Sequence, residues 1–157
     1  MSRSLITGGA GMVGRQLARL LLDRGDDVVL MDVVPPDRIA VDLRDRVTLV
    51  RADLSDWAQV LDAVSSTRPD VVYHIGALMP PASERSHAAA WRINVDGTMH
   101  ILEAARLFDV QTVLYSSTTA TFPTSLPEPV PNDHAQQPVT LYGVTKVCSE
   151  RLGEYYH

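Results

Sequence analysis

The sequence predicts an α/β fold built on a doubly wound, all-parallel sheet. Short β-branched apolar runs alternate with longer helical patterns through all 157 residues. The runs are too continuously apolar for a sheet with one wet face, and a glycine-rich turn joins the first of them to the first helical pattern. Such alternation is the signature of βαβ units, and unbroken apolar runs mark strands buried on both faces of a parallel sheet.

In chain order, strands are expected over residues 4–7, 28–32, 47–52, 71–74 and 112–116, and helices over 12–24, 56–65, 88–108 and 141–156. Gly25 is placed to stop the first helix in a left-handed conformation. Residues 118–139 carry Pro123, Pro127, Pro129, Pro131 and Pro138. Proline lacks the N–H that a ladder needs, so this stretch is a loop, ordered or mobile. No repeat or low-complexity tract divides the chain, and one domain over residues 1–157 is expected.

Composition narrows the function classes. With 45% hydrophobic and 21% charged residues the chain reads as an ordinary globular domain. No apolar run is long enough to span a bilayer, and Met1-Ser2-Arg3-Ser4 leads straight into a short strand without a cleavage signal, so a cytoplasmic location and no membrane partner are expected. Cys148 is the single cysteine and the five histidines are scattered, which leaves no metal-ligand spacing and predicts no metal. A net charge of -5 argues against nucleic acid as a partner.

The turn Thr7-Gly8-Gly9-Ala10-Gly11-Met12-Val13-Gly14 runs from strand to helix and fits both spacings of the dinucleotide fingerprint. Glycines allow positive φ and leave no Cβ between backbone and ligand, while the helix N-terminus offers unpaired N–H groups to a pyrophosphate. Gly14 allows close packing of helix on strand. Asp32 ends the second strand, where a carboxylate accepts hydrogen bonds from a ribose 2'-hydroxyl and repels a 2'-phosphate. Arg38 is the first cation after it, so NAD is predicted over NADP. A loop-capping role for Asp32 is equally open at this stage.

With these motifs in order, the chain resembles the extended short-chain dehydrogenase/reductase family, also called the NAD-dependent epimerase/dehydratase family, over essentially its whole length. The resemblance implies a Rossmann-like sheet in the order 3-2-1-4-5 and a cofactor site. Gly8, Gly11, Met12, Val13 and Gly14 correspond to the family's cofactor loop, and Ala52-Asp53-Leu54 to its adenine-contacting Asp-Leu pair. Asp53 is also placed to cap the following helix. His74-Ile75-Gly76-Ala77 is similar to the family's His-x-Ala-Ala strip, with Gly76 in place of an alanine and a core role open for His74. Asn94-Val95-x-Gly97-Thr98 matches the Asn-Val-x-Gly-Thr helix, with helix packing as the other reading of Asn94. Ser116-Ser117-Thr118 and Tyr142-Gly143-Val144-Thr145-Lys146 resemble the catalytic Ser/Thr and Tyr-x-x-x-Lys. Ser116, Tyr142 and Lys146 thereby join the expected cofactor contacts, and Thr118, Tyr142 and Lys146 the expected catalytic set. Ser117 and Thr119 offer competing hydroxyls one residue either side of Thr118.

Tyr142 and Lys146 lie four apart on a helix and so share one face. A phenol of pKa about 10 is a poor base, but a neighbouring ammonium and an oxidised nicotinamide both favour phenolate, and a shift of about three units corresponds to roughly 4 kcal/mol. On the family pattern Tyr142 takes a substrate hydroxyl proton, Thr118 holds the same oxygen and Lys146 holds the nicotinamide ribose.

Family members continue beyond this helix into a small C-terminal substrate domain that is absent here. The chain is therefore expected to be the N-terminal, cofactor-binding part of a longer enzyme, with a truncated protein that keeps dinucleotide binding without competent catalysis as the other reading. Nucleotide-sugar epimerases and dehydratases are the broad family expectation for a small-molecule substrate. Two segments point to small hydroxy acids. Tyr142-Gly-Val-Thr-Lys146 with Leu152-Gly-Glu-Tyr-Tyr156 is similar to L-threonine dehydrogenases, and Leu126-Pro-Glu-Pro-Val-Pro-Asn-Asp133 to erythronate-type sugar-acid dehydrogenases. A non-catalytic NAD-binding module, needing neither Tyr142 nor Lys146, is the contrasting reading. Trp91, Val95 and Leu102 form one apolar stripe, and Gly97, Ile101, Ala104 and Phe108 another. Together with the family habit, they predict a homodimer through helices 88–108 and 141–156.

Overall fold

The computed structural model describes residues 2–157. Five parallel strands, β1 (Arg3–Thr7), β2 (Asp27–Asp32), β3 (Thr48–Arg51), β4 (Val71–His74) and β5 (Thr112–Tyr115), form one sheet in the order β3-β2-β1-β4-β5, the predicted order. Between them run α1 (Met12–Asp23), a 3-10 turn at Pro36–Arg38, α2 (Val41–Arg44), α3 (Trp57–Thr67), α4 (Ala82–Arg85), α5 (His87–Trp91) and α6 (Gly97–Leu107), and α7 (Leu141–Tyr156) follows β5.

Side chains alternate between faces along a strand, and the two faces of β1 and β2 fill separate cores. Leu5, Val29 and Met31 join Val60, Val64, Val72, Ile101 and Ala104 on one side. Ile6, Val28 and Leu30 join Ala18, Leu21, Ile39 and Leu43 on the other. The prediction of strands buried on both faces holds for these central strands and fails at the sheet edges. On β3 and β5 the pattern loosens, and Leu114 of β5 is 49% exposed, because an edge strand has a neighbour on one side only.

Helix α1 stops as expected. Gly25 has φ +88, its N–H donates to the Leu22 carbonyl and that of Asp26 to the Leu21 carbonyl, a Schellman closure. Asp56 caps α3 rather than beginning it, accepting the Gln59 N–H at 3.2 Å. The helix predicted as one piece over 88–108 is three: α5, a π turn over Arg92–Asp96, and α6. Apolar periodicity averages over a one-residue slip and does not reveal it. The first stripe of this helix divides: Val95 is core, with Ile101 and Ala104 of the second, whereas Trp91 is 43% exposed.

Ile101 is fully buried against the α3 side of the sheet. Ile101→Ala is expected to lower unfolding free energy by about 2–5 kcal/mol in urea titration; a loss below about 1 kcal/mol would show that this core can collapse around the gap.

Candidate functional site

In-register pairing sets Thr7 beside both Met31 and His74, so β1, β2 and β4 end together. Their neighbours in sequence open a cleft of about 430 Å³ at the carboxyl ends of the strands, where a doubly wound sheet holds its ligands. The cleft is lined by Gly8, Gly11, Met12, Val13, Gly14, Asp32, Asp53, Leu54, Ile75, Gly76 and Ala77, all expected from the sequence, and by Met31, Val33, Ala52, Leu78, Met79 and Ile93. The second group flanks the motifs, and adjacency alone could have found most of it. Ile93 comes from the π turn and directly precedes Asn94 of its motif.

The glycine turn is shaped by contact distances. Gly8 has φ +66, and a Cβ there would lie 2.7 Å from Gly76 Cα; a Cβ on Gly14 would lie 2.5 Å from the Gly8 carbonyl oxygen. Both separations are closer than side chains tolerate, so α1 can sit this near β1 and β4 only through bare backbone. Alanine is the family's residue at position 76, but here a Cβ would meet Leu54 Cδ1 at 2.9 Å and Gly8 N at 3.0 Å.

Two features of the cleft address a ligand. Among the described residues no side chain caps the N-terminus of α1, which leaves its first-turn N–H groups and positive dipole end for an anion. Beside that turn Asp32 accepts from Ala10 N at 3.0 Å through Oδ2, and from Val33 N and Val34 N at 2.8 and 3.3 Å through Oδ1. Asp32 is thus both a loop cap and a cleft carboxylate. Asp53 does not cap α3; its Oδ1 accepts the Ser55 N–H and hydroxyl, each at 2.8 Å.

His74 is a core residue with a definite tautomer. The Thr98 hydroxyl donates to the Asn94 carbonyl at 2.5 Å, so it accepts from His74 Nε2–H at 3.0 Å. Nδ1 is then the acceptor for the Thr7 hydroxyl at 2.8 Å, and that oxygen accepts the Gly76 N–H at 3.0 Å. Burial, aided by Lys146, lowers the imidazole pKa from 6.5 to about 3 and keeps it neutral.

The other expected site residues stand apart from the cleft lining. Asn94 is buried: Oδ1 accepts Leu78 N at 2.7 Å, and Nδ2 donates to the Leu78 carbonyl and to Thr145 Oγ1, both at 3.1 Å. Asn94 therefore ties the cleft strip to α7 with both its donors, and keeps one acceptor lone pair on Oδ1. Ser116 uses its carbonyl to accept Lys146 Nζ at 2.9 Å. The Thr118 Oγ1 accepts the Ala120 N–H at 3.2 Å and caps a 3-10 turn over Thr119–Thr121, so its proton stays free to donate. Ser117 is committed to Glu150 instead.

Tyr142 and Lys146 share the buried face of α7, as predicted, but the electrostatics differ from the expectation. Lys146 Nζ lies 4.5 Å from the Tyr115 ring centre and 5.8 Å from that of Tyr142. Burial lowers its pKa to about 8, against a small upward pull from Glu150. Burial also pushes the Tyr142 phenol up, away from phenolate, while the ammonium is turned toward Tyr115 and Ser116. Among the described residues no cluster of His, Cys, Asp or Glu could hold a metal ion, and no helix is long and apolar enough to cross a membrane.

A parallel 3-2-1-4-5 sheet whose glycine turn, uncapped helix and carboxylate meet at the strand ends defines a dinucleotide-binding domain of the Rossmann class. The chain belongs to the NAD dependent epimerase/dehydratase family, which it matches over residues 4–157. It is 33% identical over 158 residues to the mitochondrial L-threonine 3-dehydrogenase of Sus scrofa, covering 99% of this chain and 41% of that protein. It is 38% identical over 160 residues to the D-erythronate dehydrogenase of Cupriavidus necator, covering 94% and 48%. The crystal structure of UDP-glucose 4-epimerase from Brucella ovis in complex with NAD superposes with TM-score 0.88 at 29% identity, covering 99% and 48%. The chain thus spans about half the length of these relatives, or less.

The unfolded chain protonates His74 near 6.5, whereas the folded chain keeps it neutral down to about 3. This contribution is complete above pH 6.5 and is lost as pH falls, by about 1.4 kcal/mol per unit. Urea midpoints between pH 7 and 4.5 are expected to fall more steeply for the native protein than for His74→Gln. Parallel slopes would place a charged imidazole in the fold.

Proposed function

We propose that the domain binds NAD in the cleft and serves an oxidoreductase that oxidises the secondary alcohol of a small hydroxy acid. The observation that carries the reading is the cleft itself, lined by a bare helix N-terminus and by the Asp32 carboxylate. In this reading the first turn of α1 holds the pyrophosphate. Asp32 keeps a lone pair on Oδ2 free for a ribose hydroxyl and repels a 2'-phosphate, which selects NAD over NADP. The apolar strip from Ile75 to Met79, with Leu54 and Ile93, excludes water along the cleft.

Bound NAD supplies the hydride acceptor and, in its oxidised form, a positive charge. The chain's own groups handle the proton. The Tyr142 oxygen takes it from the substrate hydroxyl as the C–H electron pair leaves as hydride, giving a ketone. The free hydroxyl proton of Thr118 bonds the same substrate oxygen. Because burial raises the phenol and Lys146 faces Tyr115, phenolate depends on the cofactor's charge and on Lys146 turning toward the ribose. The hydroxy-acid class rests on the two dehydrogenase relatives, each more than 30% identical and each with a counterpart among the local sequence resemblances.

Calorimetry is expected to show NAD binding well ahead of NADP. With L-threonine, D-erythronate and UDP-glucose offered to the full chain, NADH should form from one of the first two. Tyr142→Phe should cut that rate by about 10²–10⁴-fold while NAD affinity stays nearly constant. Equal rates in the mutant would refute the proton role, turnover of UDP-glucose alone would move the substrate class, and an NADP preference would remove Asp32 from its assigned place.

We also propose a homodimer through residues 88–108 and 141–156. The outer faces of these helices expose Trp91, Met99, Val144 and Tyr155, an apolar surface of the kind that marks a protein interface. Light scattering is expected to give about twice the single-chain mass of 17.2 kDa. A single-chain mass at high concentration would exclude the dimer.

A further inference from the structure

Helix α7 carries Tyr142 at its second position, and the first four N–H groups of a helix have no carbonyl partner within it. The Thr140 carbonyl accepts Val144 N at 3.0 Å, the first bond of the helix itself, and its Oγ1 caps the unpaired Gly143 N at 3.1 Å. The unpaired N–H groups of Leu141 and Tyr142 go to one carboxylate from a distant part of the chain: Glu84 Oε2 accepts Leu141 N at 3.1 Å, and Oε1 accepts Tyr142 N at 3.0 Å across 58 residues.

Glu84 is itself held in place. The Ser83 hydroxyl donates to its Oε1 at 3.1 Å, and Ser83 is buried, with its N–H on the Met79 carbonyl at 3.1 Å. Met79 lines the cleft. The Tyr142 N–H, then those of Leu141 and the Ser83 hydroxyl, with His87 nearby, hold the Glu84 carboxyl below its ordinary range, so it is ionised at neutral pH. An anion at a helix N-terminus is favoured by the helix dipole as well as by its hydrogen bonds.

A short path therefore runs from the cleft wall at Met79, through Ser83 and Glu84, to the backbone of Tyr142. We infer that Glu84 is a positioning residue, a second-segment cap that fixes where the Tyr142 phenol stands relative to the cleft. It touches the tyrosine's backbone only and takes no part in proton transfer. The inference rests on the proposed role of Tyr142 in the preceding subsection.

The test uses the full chain with 3-fluorotyrosine at position 142, compared with the same protein carrying Glu84→Gln, which keeps one acceptor, or Glu84→Ala, which keeps none. In the unsubstituted protein one sharp 19F line is expected, moving when NAD is added. Glu84→Ala should shift or broaden that line and lower turnover by about tenfold or more with NAD affinity within about twofold, and Glu84→Gln should fall between. A lower thermal midpoint with unchanged 19F line and unchanged turnover would overturn the inference, leaving Glu84 a stabilising cap. If Glu84→Ala does not fold, Glu84→Gln decides alone, its unaltered line and rate counting against the proposal. If the unsubstituted protein oxidises neither hydroxy acid, the proposed function fails while the 19F comparison still decides the placement.

Discussion

The close approach of backbone at Gly8, Gly14 and Gly76 is the constraint on which the rest of this structure depends. It brings the start of α1 and the ends of β1 and β4 to within contact distances that no side chain could share. That proximity aims the helix dipole across the cleft and sets the Asp32 carboxylate where it can tie down Ala10. The two cores lie beneath this point, one on each face of the sheet. Hydrophobic burial is non-directional and fixes the layers. The glycine contact fixes where the layers leave an opening.

A chain of buried hydrogen bonds carries that geometry to the second half of the site. From the Gly76 N–H it passes through Thr7, His74 and Thr98 to the Asn94 carbonyl, which also accepts the Ser149 hydroxyl of α7 at 3.0 Å. The Asn94 side chain adds a parallel tie through Thr145. Every donor and acceptor along it finds a partner, and a network of that kind rigidifies a core instead of weakening it. The loop over residues 118–139 is held more lightly, by Gln136 between Glu150 and Arg151.

The fold was legible in the sequence because its signals are local: apolar runs for the strands, Gly25 for a helix stop, Thr7 to Gly14 for the turn. The cleft was legible for the same reason, since its lining falls within or beside short motifs. What escaped was set by contacts distant in sequence. Asn94 reads as a site residue in its motif, but that motif does not reveal that both its donors bind Leu78 and Thr145. Glu84 belongs to no motif, and only the folded chain brings it to Tyr142. The direction of the Tyr142 shift was missed because four-residue spacing shows that Lys146 shares its face, but neither that the phenol is buried nor that the ammonium faces the ring of Tyr115 and the carbonyl of Ser116.

The π turn over Arg92–Asp96 has a bearing on how such chains can change. A π turn is a helix with one residue too many, and each helical residue accounts for about 100° of rotation. Everything upstream of it, including His87–Trp91, is thus held a fixed angle out of phase with Gly97–Leu107. Losing a single residue there would give a smoother helix and a worse protein, because either the outer face or the Asn94 clamp would be turned away from its partner. The length of this short stretch is therefore constrained more tightly than its composition.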